Sequence, residues 1–307
     1  LVPQWGEGLF RTGSMEEYRP MESPARIAPT LESGKPITEL VVPVVAGSLH
    51  DRVVPLAAEL ASIWHVPIRL VRVTASIATD DADLDDVLHG MQSWYPHLEL
   101  STRHLYGDDP AAAIADYVTG GMLVVMSSDH IDAWRSEDSV AEDLLERLGV
   151  PVILIGPNVT KTELRERGAD GEVVVCLDGS AGAEAGVGPG AALAKSIGHA
   201  LWLVRIVPEP VAGEPVHHPE VAARLQQLAD ELNPDVMTRW EVVQDDDPIA
   251  GVEGFAARRT VSFLVAATHA HRGEDATAPS VTGALAATAH HPVMVVSAPD
   301  VSELPSS

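Results

Sequence analysis

Short apolar runs alternate along this chain with stretches in which apolar residues recur every three or four positions. Leu40–Val45 is a continuous apolar run, the mark of a strand buried on both faces of a sheet. In Asp51–Trp64 the residues Val53, Leu56, Leu60 and Ile63 fall three or four apart and line one face of a helix. Pro55 is compatible with that helix because it lies in the first turns. Ile68–Val73 predicts the next strand, Asp80–Trp94 a helix, and Leu98–Leu105 a third strand. Asp109-Pro110 predicts a helix start, an N-cap acid followed by proline at the first helical position, with the helix ending near Val118. Met122–Met126 reads as a strand, Asp138-Ser139 as the opening of a helix through Leu148, and Gly149 as its stop. Pro151–Ile155 is then a fifth strand.

The second half repeats this order. Its strands are predicted at Val173–Leu177, Leu201–Val207, Val236–Val243, Val261–Ala266 and Val293–Ser297. Asp247-Pro248 repeats Asp109-Pro110, and Ser280 precedes Pro292 by the same 12 residues that separate Ser139 from Pro151. The closing phrases PVILIGP and PVMVVSAP also match. Strands alternating with helices imply parallel βαβ units with right-handed crossovers. We divide the chain into a domain at 37–157, a polar linker at 158–169 and a second domain at 170–300. In such sheets a ligand belongs at the carboxyl ends of the strands, where the strand order reverses. This singles out Asp178, at the end of a first strand, and Thr268–His271, past a fourth.

The first-strand phrase is written twice, as VVPVVAGS at 41–48 and VVVCLDGS at 173–180, with Ala46 in the place of Asp178. A first strand ending in Asp-Gly-Ser, a Gly/Asp-x-Pro before the third helix and a final Ser-Val…Pro-Val-x-Val-Val resemble the universal stress protein family. The resemblance covers nearly all of Ile37–Asp300 as two tandem copies. It implies two doubly wound, Rossmann-like α/β domains, each a five-stranded parallel sheet with helices on both faces. It also implies a pseudo-dimer within the chain, or a homodimer, joined partly through the fifth strands. Some members of the family bind ATP through the first-strand Asp and a glycine loop, G-x-x-G followed after about nine residues by G-S/T. Others lack the loop and hold no ATP, and members serve stress survival and signalling rather than a defined turnover.

Glycine matters in that loop because backbone amides must approach phosphate oxygens closely, which a Cβ obstructs. In the first copy the segment is Ser127–His130, followed by Asp138-Ser139. It has no glycine, and Asp129, Asp132 and Asp138 would repel phosphate, so no nucleotide is expected there. In the second copy it is Ala267–Ala270, followed by Pro279-Ser280 at a spacing about one residue shorter than the family's. Alanine is the smallest replacement for glycine, although Pro279 removes an amide donor and Glu274 and Asp275 stand close by. His269 and His271 could donate hydrogen bonds to phosphate. The candidate binding residues are Asp178, Gly179, Ala267, Thr268, His269, Ala270, Ser280 and Val281. They frame a weakened nucleotide crevice, with ATP as the ligand considered, in the second domain alone. Asp178 has two open readings, recognition of adenine or ribose, and a turn former whose carboxylate caps Gly179-Ser180.

Composition narrows the function. The 307 residues carry a formal charge of −25, which opposes binding to nucleic acid and to anionic membranes. The chain is 46% hydrophobic but only 4% aromatic, so its core must rest on Val, Leu, Ile and Ala. The single cysteine, Cys176, lies in an apolar run and reads as a small buried hydrophobe. No apolar stretch reaches the roughly 18 residues that span a bilayer, and a cytoplasmic location is expected. Leu1–Ser14 reads as a cloning remnant and Glu16–Pro36 as a mobile tail.

Other patterns read as structure. Gly179, Gly182, Gly186, Gly188 and Gly190 lack the G-x-G-x-x-G fingerprint and predict a flexible insertion before a helix starting near Pro189. The pairs His217-His218 and His290-His291 read as surface or cap residues rather than metal ligands, and Asp245-Asp246-Asp247 as an acid run at a helix N-terminus. No Ser-His-Asp set is legible. The reading is a non-enzymatic stress-response binding protein with no catalytic residue and no metal. The alternative is a nucleotide-hydrolysing or nucleotidyl-transfer enzyme using the second-domain crevice.

Overall fold

The computed structural model describes residues 27–31, 35–44, 52–75, 82–128, 140–159, 170–209, 218–232, 234–268 and 281–298. The first half comprises β1 (Glu39–Pro43), α1 (Val53–Trp64), β2 (Ile68–Thr74), α2 (Ala82–Trp94), β3 (Leu100–Tyr106), α3 (Pro110–Tyr117), β4 (Met122–Ser127), α4 (Val140–Arg147) and β5 (Val152–Ile155). The second comprises β6 (Glu172–Leu177), α5 (Val187–Ile197), β7 (Ala200–Val207), α6 (Pro219–Glu231), β8 (Thr238–Gln244), α7 (Pro248–Ala256), β9 (Val261–Thr268), α8 (Val281–Thr288) and β10 (Val293–Ser297).

All the strands join one ten-stranded sheet in the order β3-β2-β1-β4-β5-β10-β9-β6-β7-β8. Each half is parallel throughout, and the halves meet where β10 pairs antiparallel with β5, Met294 opposite Ile153. Alternate strand residues point to opposite faces, so each strand feeds two cores. On one face Leu40, Val42, Val173 and Val175 pack beneath α1, α2, α5 and α6. On the other, Val41, Val124, Val174 and Leu264 pack beneath α3, α4, α7 and α8. Central strands covered on both sides must be apolar at nearly every position, which is why β4 reads MLVVMS and β6 EVVVCL.

The helices start where the chain supplies caps. The Asp109 carboxylate accepts the Ala112 N–H at 3.0 Å, and Asp247 accepts those of Ile249 and Ala250 at 2.8 and 3.3 Å. Proline follows each acid, where its missing N–H costs nothing.

Two expectations change. The glycine-rich stretch after β6 is not a flexible insertion. Ala183–Gly186 forms a 3-10 turn, and α5 begins at Val187 with Pro189 inside its first turn. A Cβ on Gly190 would stand 2.5 Å from a Val175 methyl, so glycine lets α5 lie directly on β6. Nor is the segment before residue 37 wholly outside the packed body. Leu31 is buried, Thr30 bridges Pro36, and the Ile37 N–H donates to the Pro29 carbonyl at 2.9 Å.

Sheet register also shifts the two first-strand phrases against each other. Leu40 pairs with Ile68 and Val173 with Leu201, and both face the same core. Leu40 therefore corresponds to Val173, and the position of Asp178 falls to Val45 rather than Ala46, with one extra residue before Gly47-Ser48. An apolar residue replaces the acid either way. Val45 and Ala46 lie outside the described residues.

Candidate functional site

The strand order reverses between β1 and β4 in the first half and between β6 and β9 in the second. Their carboxyl ends are where a doubly wound sheet takes a ligand. Sequence reasoning placed Asp178 and Thr268 at such ends, and the fold brings both to the second reversal point.

Asp178 follows β6 and is exposed. Its Oδ1 accepts the Ser180 N–H at 2.8 Å, and the Ser180 hydroxyl oxygen accepts the Ala183 N–H at 3.1 Å. The turn-forming role of Asp178 is thus present, and it leaves the side chain at the surface. Gly179 has φ +84°, a left-handed conformation that an L side chain rarely adopts. The place its side chain would take is filled by the Arg205 guanidinium.

Arg205 was missed by sequence reasoning. It lies on β7 opposite Leu177, the residue before Asp178, and reaches over the β6 tip from the neighbouring strand. Its Nε is buried with no hydrogen-bond partner, and Arg205 makes no ion pair among the described residues. By contrast Arg69, Arg147, Arg224, Arg239 and Arg259 each pair with a carboxylate. The available signal was the repeated phrase LVRV at 70–73 and LVRI at 203–206, which puts an arginine at one position of both second strands. Its first-half counterpart, Arg72, is buried.

On the β9 side, Ala267 and Thr268 are half-buried and pair with Val296 and Ser297 of β10. The Ala267 carbonyl accepts the Thr282 hydroxyl at 3.0 Å, tying the strand end to the first turn of α8. Val281 opens α8. His269, Ala270 and Ser280, with His271, Arg272, Glu274 and Asp275, lie outside the described residues.

The equivalent tip in the first half is engaged in structure. The Ser127 hydroxyl donates to the Ile155 carbonyl at 3.4 Å, and the buried Ser128 hydroxyl to the Ala286 carbonyl of α8 at 3.0 Å. Arg52, just before α1, donates Nη1 to the carbonyls of Gly156, at 2.9 Å, and Pro157. Asp129, His130, Asp132, Asp138 and Ser139 lie outside the described residues.

The acid run is used by backbone amides. Asp245 accepts the Asp247 N–H at 2.9 Å and Asp246 that of Glu209 at 3.0 Å, while Asp247 caps α7. Burial, with Glu253 nearby, pushes the Cys176 thiol up to about 12, so it is protonated and poorly nucleophilic at neutral pH.

These features define a doubly wound α/β protein whose second half brings Asp178 and Thr268 to its strand-order reversal. Residues 171–297 match the model of the Universal stress protein family. The whole architecture is similar to solved universal stress proteins. One from Archaeoglobus fulgidus DSM 4304 is 13% identical with a TM-score of 0.60, the match covering 85% of this chain and 97% of that one. One from Pseudomonas aeruginosa UCBPP-PA14 is 14% identical with a TM-score of 0.58, covering 85% and 94%. At these identities the likeness is one of fold. No curated protein matches the sequence. No helix among the described residues is long and apolar enough to cross a membrane.

Proposed function

We propose that this chain is a tandem universal stress protein that acts by binding rather than turnover, in the cytoplasm, with a nucleotide held by its second half only. The carrying observation is the unequal state of the two switch points. In the second half an exposed Asp178, a left-handed Gly179 and an Arg205 without an ion-pair partner among the described residues meet at one strand tip. In the first half an apolar residue replaces the acid, and Ser128 is buried against α8. Asp178, Gly179, Ala267 and Thr268 would line the crevice, and His269, Ala270, Ser280 and Val281 are the further candidates for binding.

Calorimetry with ATP, repeated on Asp178→Ala, tests this reading. Binding by the native chain and a loss of about tenfold or more in the variant are expected, the range for a hydrogen bond to a charged group. No heat at millimolar nucleotide would leave a scaffold without a ligand. Sustained phosphate release that Asp178→Ala abolishes would favour an enzyme instead.

A further inference from the structure

We infer that the outer edge of β8 is an interface between two copies of this chain, joined by antiparallel β8 strands with Trp240 opposite Trp240. The inference is independent of the nucleotide reading.

Ten strands in one open sheet leave two outer edges, on β3 and on β8. The fifth strands of the two halves are spent inside the chain, because β5 and β10 pair with each other. Along β8 the Met237 carbonyl accepts the Leu201 N–H of β7, and the Asp245 N–H donates to the Val207 carbonyl, each at 2.9 Å. Odd-numbered residues thus turn their backbone groups toward β7. Successive residues alternate, so Thr238, Trp240, Val242 and Gln244 turn theirs outward. No strand pairs with that side among the described residues. β8 contains no proline, and its seven residues offer an open edge to a further strand.

Charge selects both the occupant and the register. Each chain carries −25, which keeps copies apart except where opposite charges are set face to face. The Arg239 and Glu241 side chains lie on one face of β8 and are 51% and 36% exposed. Arg239 is 3.9 Å from Glu172, and Glu241 Oε1 is 3.8 Å from Arg258, both beyond hydrogen-bond reach. Each side chain therefore has capacity for a closer partner. Two β8 strands that face each other with their outward backbone groups can slide only in steps of two residues. With Trp240 opposite Trp240, Arg239 of each copy faces Glu241 of the other, and the exposed Met237 faces Val243. A slip of two residues sets Arg239 against Arg239 one way and Glu241 against Glu241 the other, and like charges directly opposite are destabilising. The Arg239–Glu241 pairs fall at the non-hydrogen-bonded positions, where opposing Cα atoms come to about 4.5 Å and side chains are closest. The β3 edge offers no such match, since LSTRHLY holds Arg103 and no acid.

The test is sedimentation equilibrium of the full chain at micromolar concentration. The native protein should have twice the mass of one chain. Arg239→Glu and Glu241→Arg, each alone, set like charges opposite each other twice and should give monomers. Mixing the two variants should restore the doubled mass, because every facing pair is then of opposite charge. Mixing would not repair a fault of folding. Thr238→Pro removes one outward N–H at the first residue of the strand, where proline is tolerated, and should give a monomer with native circular dichroism. A monomeric native chain would overturn the inference. So would a dimer that survives any of the three substitutions, or charge variants that stay monomeric when mixed. If a charge variant does not fold, the native mass and Thr238→Pro decide alone.

Discussion

Cys176 and Arg205 show how far a single residue's neighbours decide its chemistry. Cys176 lies one residue before the end of β6 and Arg205 two before the end of β7, and what packs around each sets its role. The Cys176 thiol is raised to about 12, first by burial and then by the nearby Glu253 carboxylate. A raised thiol pKa means less thiolate at neutral pH. A disulfide exchange reagent at neutral pH should leave the folded protein unlabelled and titrate one thiol per chain in denaturant. Rapid labelling of the folded protein would contradict the raised thiol pKa. Asp178 was legible at this scale because its position, directly after an apolar run and before Gly-Ser, is a local pattern. Arg205 was not, because its partner is across the sheet at Gly179 and no sequence spacing joins them.

At the scale of elements, helix starts were readable because caps are local. Asp109-Pro110 and Asp247-Pro248 cap α3 and α7 as expected. The Asp109 carboxyl is held below its ordinary 3.8, first by the Ala112 N–H and then by Arg147, whose guanidinium lies 2.7 Å away. Because its folded pKa is depressed, its contribution is present above 3.8 and is lost as pH falls through the lower folded value. Asp109→Ala should therefore melt at a lower temperature than the native chain at pH 7, and the gap should narrow as pH is lowered below 3.8. A gap that stays constant with pH would show that the carboxylate's charge is irrelevant. Strand bounds moved by a residue or two, as with β3, which starts at Leu100 rather than Leu98. The glycine run misled because a glycine that allows close packing and one that allows freedom look alike in sequence. Only the 2.5 Å approach of Val175 to the Cβ position of Gly190 tells them apart.

At the scale of the molecule, the halves are fastened by more than the β5–β10 pair. Trp64 of α1 donates to the Ser196 hydroxyl of α5 at 3.1 Å, and Ser297 donates to the Leu148 carbonyl at 2.8 Å. Asn158 donates to the Thr288 carbonyl at 3.0 Å. Around Gly156 the fit is close, since a Cβ there would lie 2.7 Å from the Ala286 carbonyl oxygen. Gly156→Val should lower stability by about 1–3 kcal/mol, the cost of overpacking, read as a fall in Tm. An unchanged Tm would mean that the halves do not seat against each other there. The amino-acid sequence by itself determined the duplication, the alternation of strands and helices, the capped helix starts and the survival of Asp178 in one copy. Each of these is written in spacings of a few residues, where backbone periodicity and hydrogen bonding act. Tertiary structure alone decided the single continuous sheet, the one-residue shift between the two first strands and the placing of Arg205 over Gly179. Those depend on which strands become neighbours and in what register, and that is settled by packing between segments far apart in the chain.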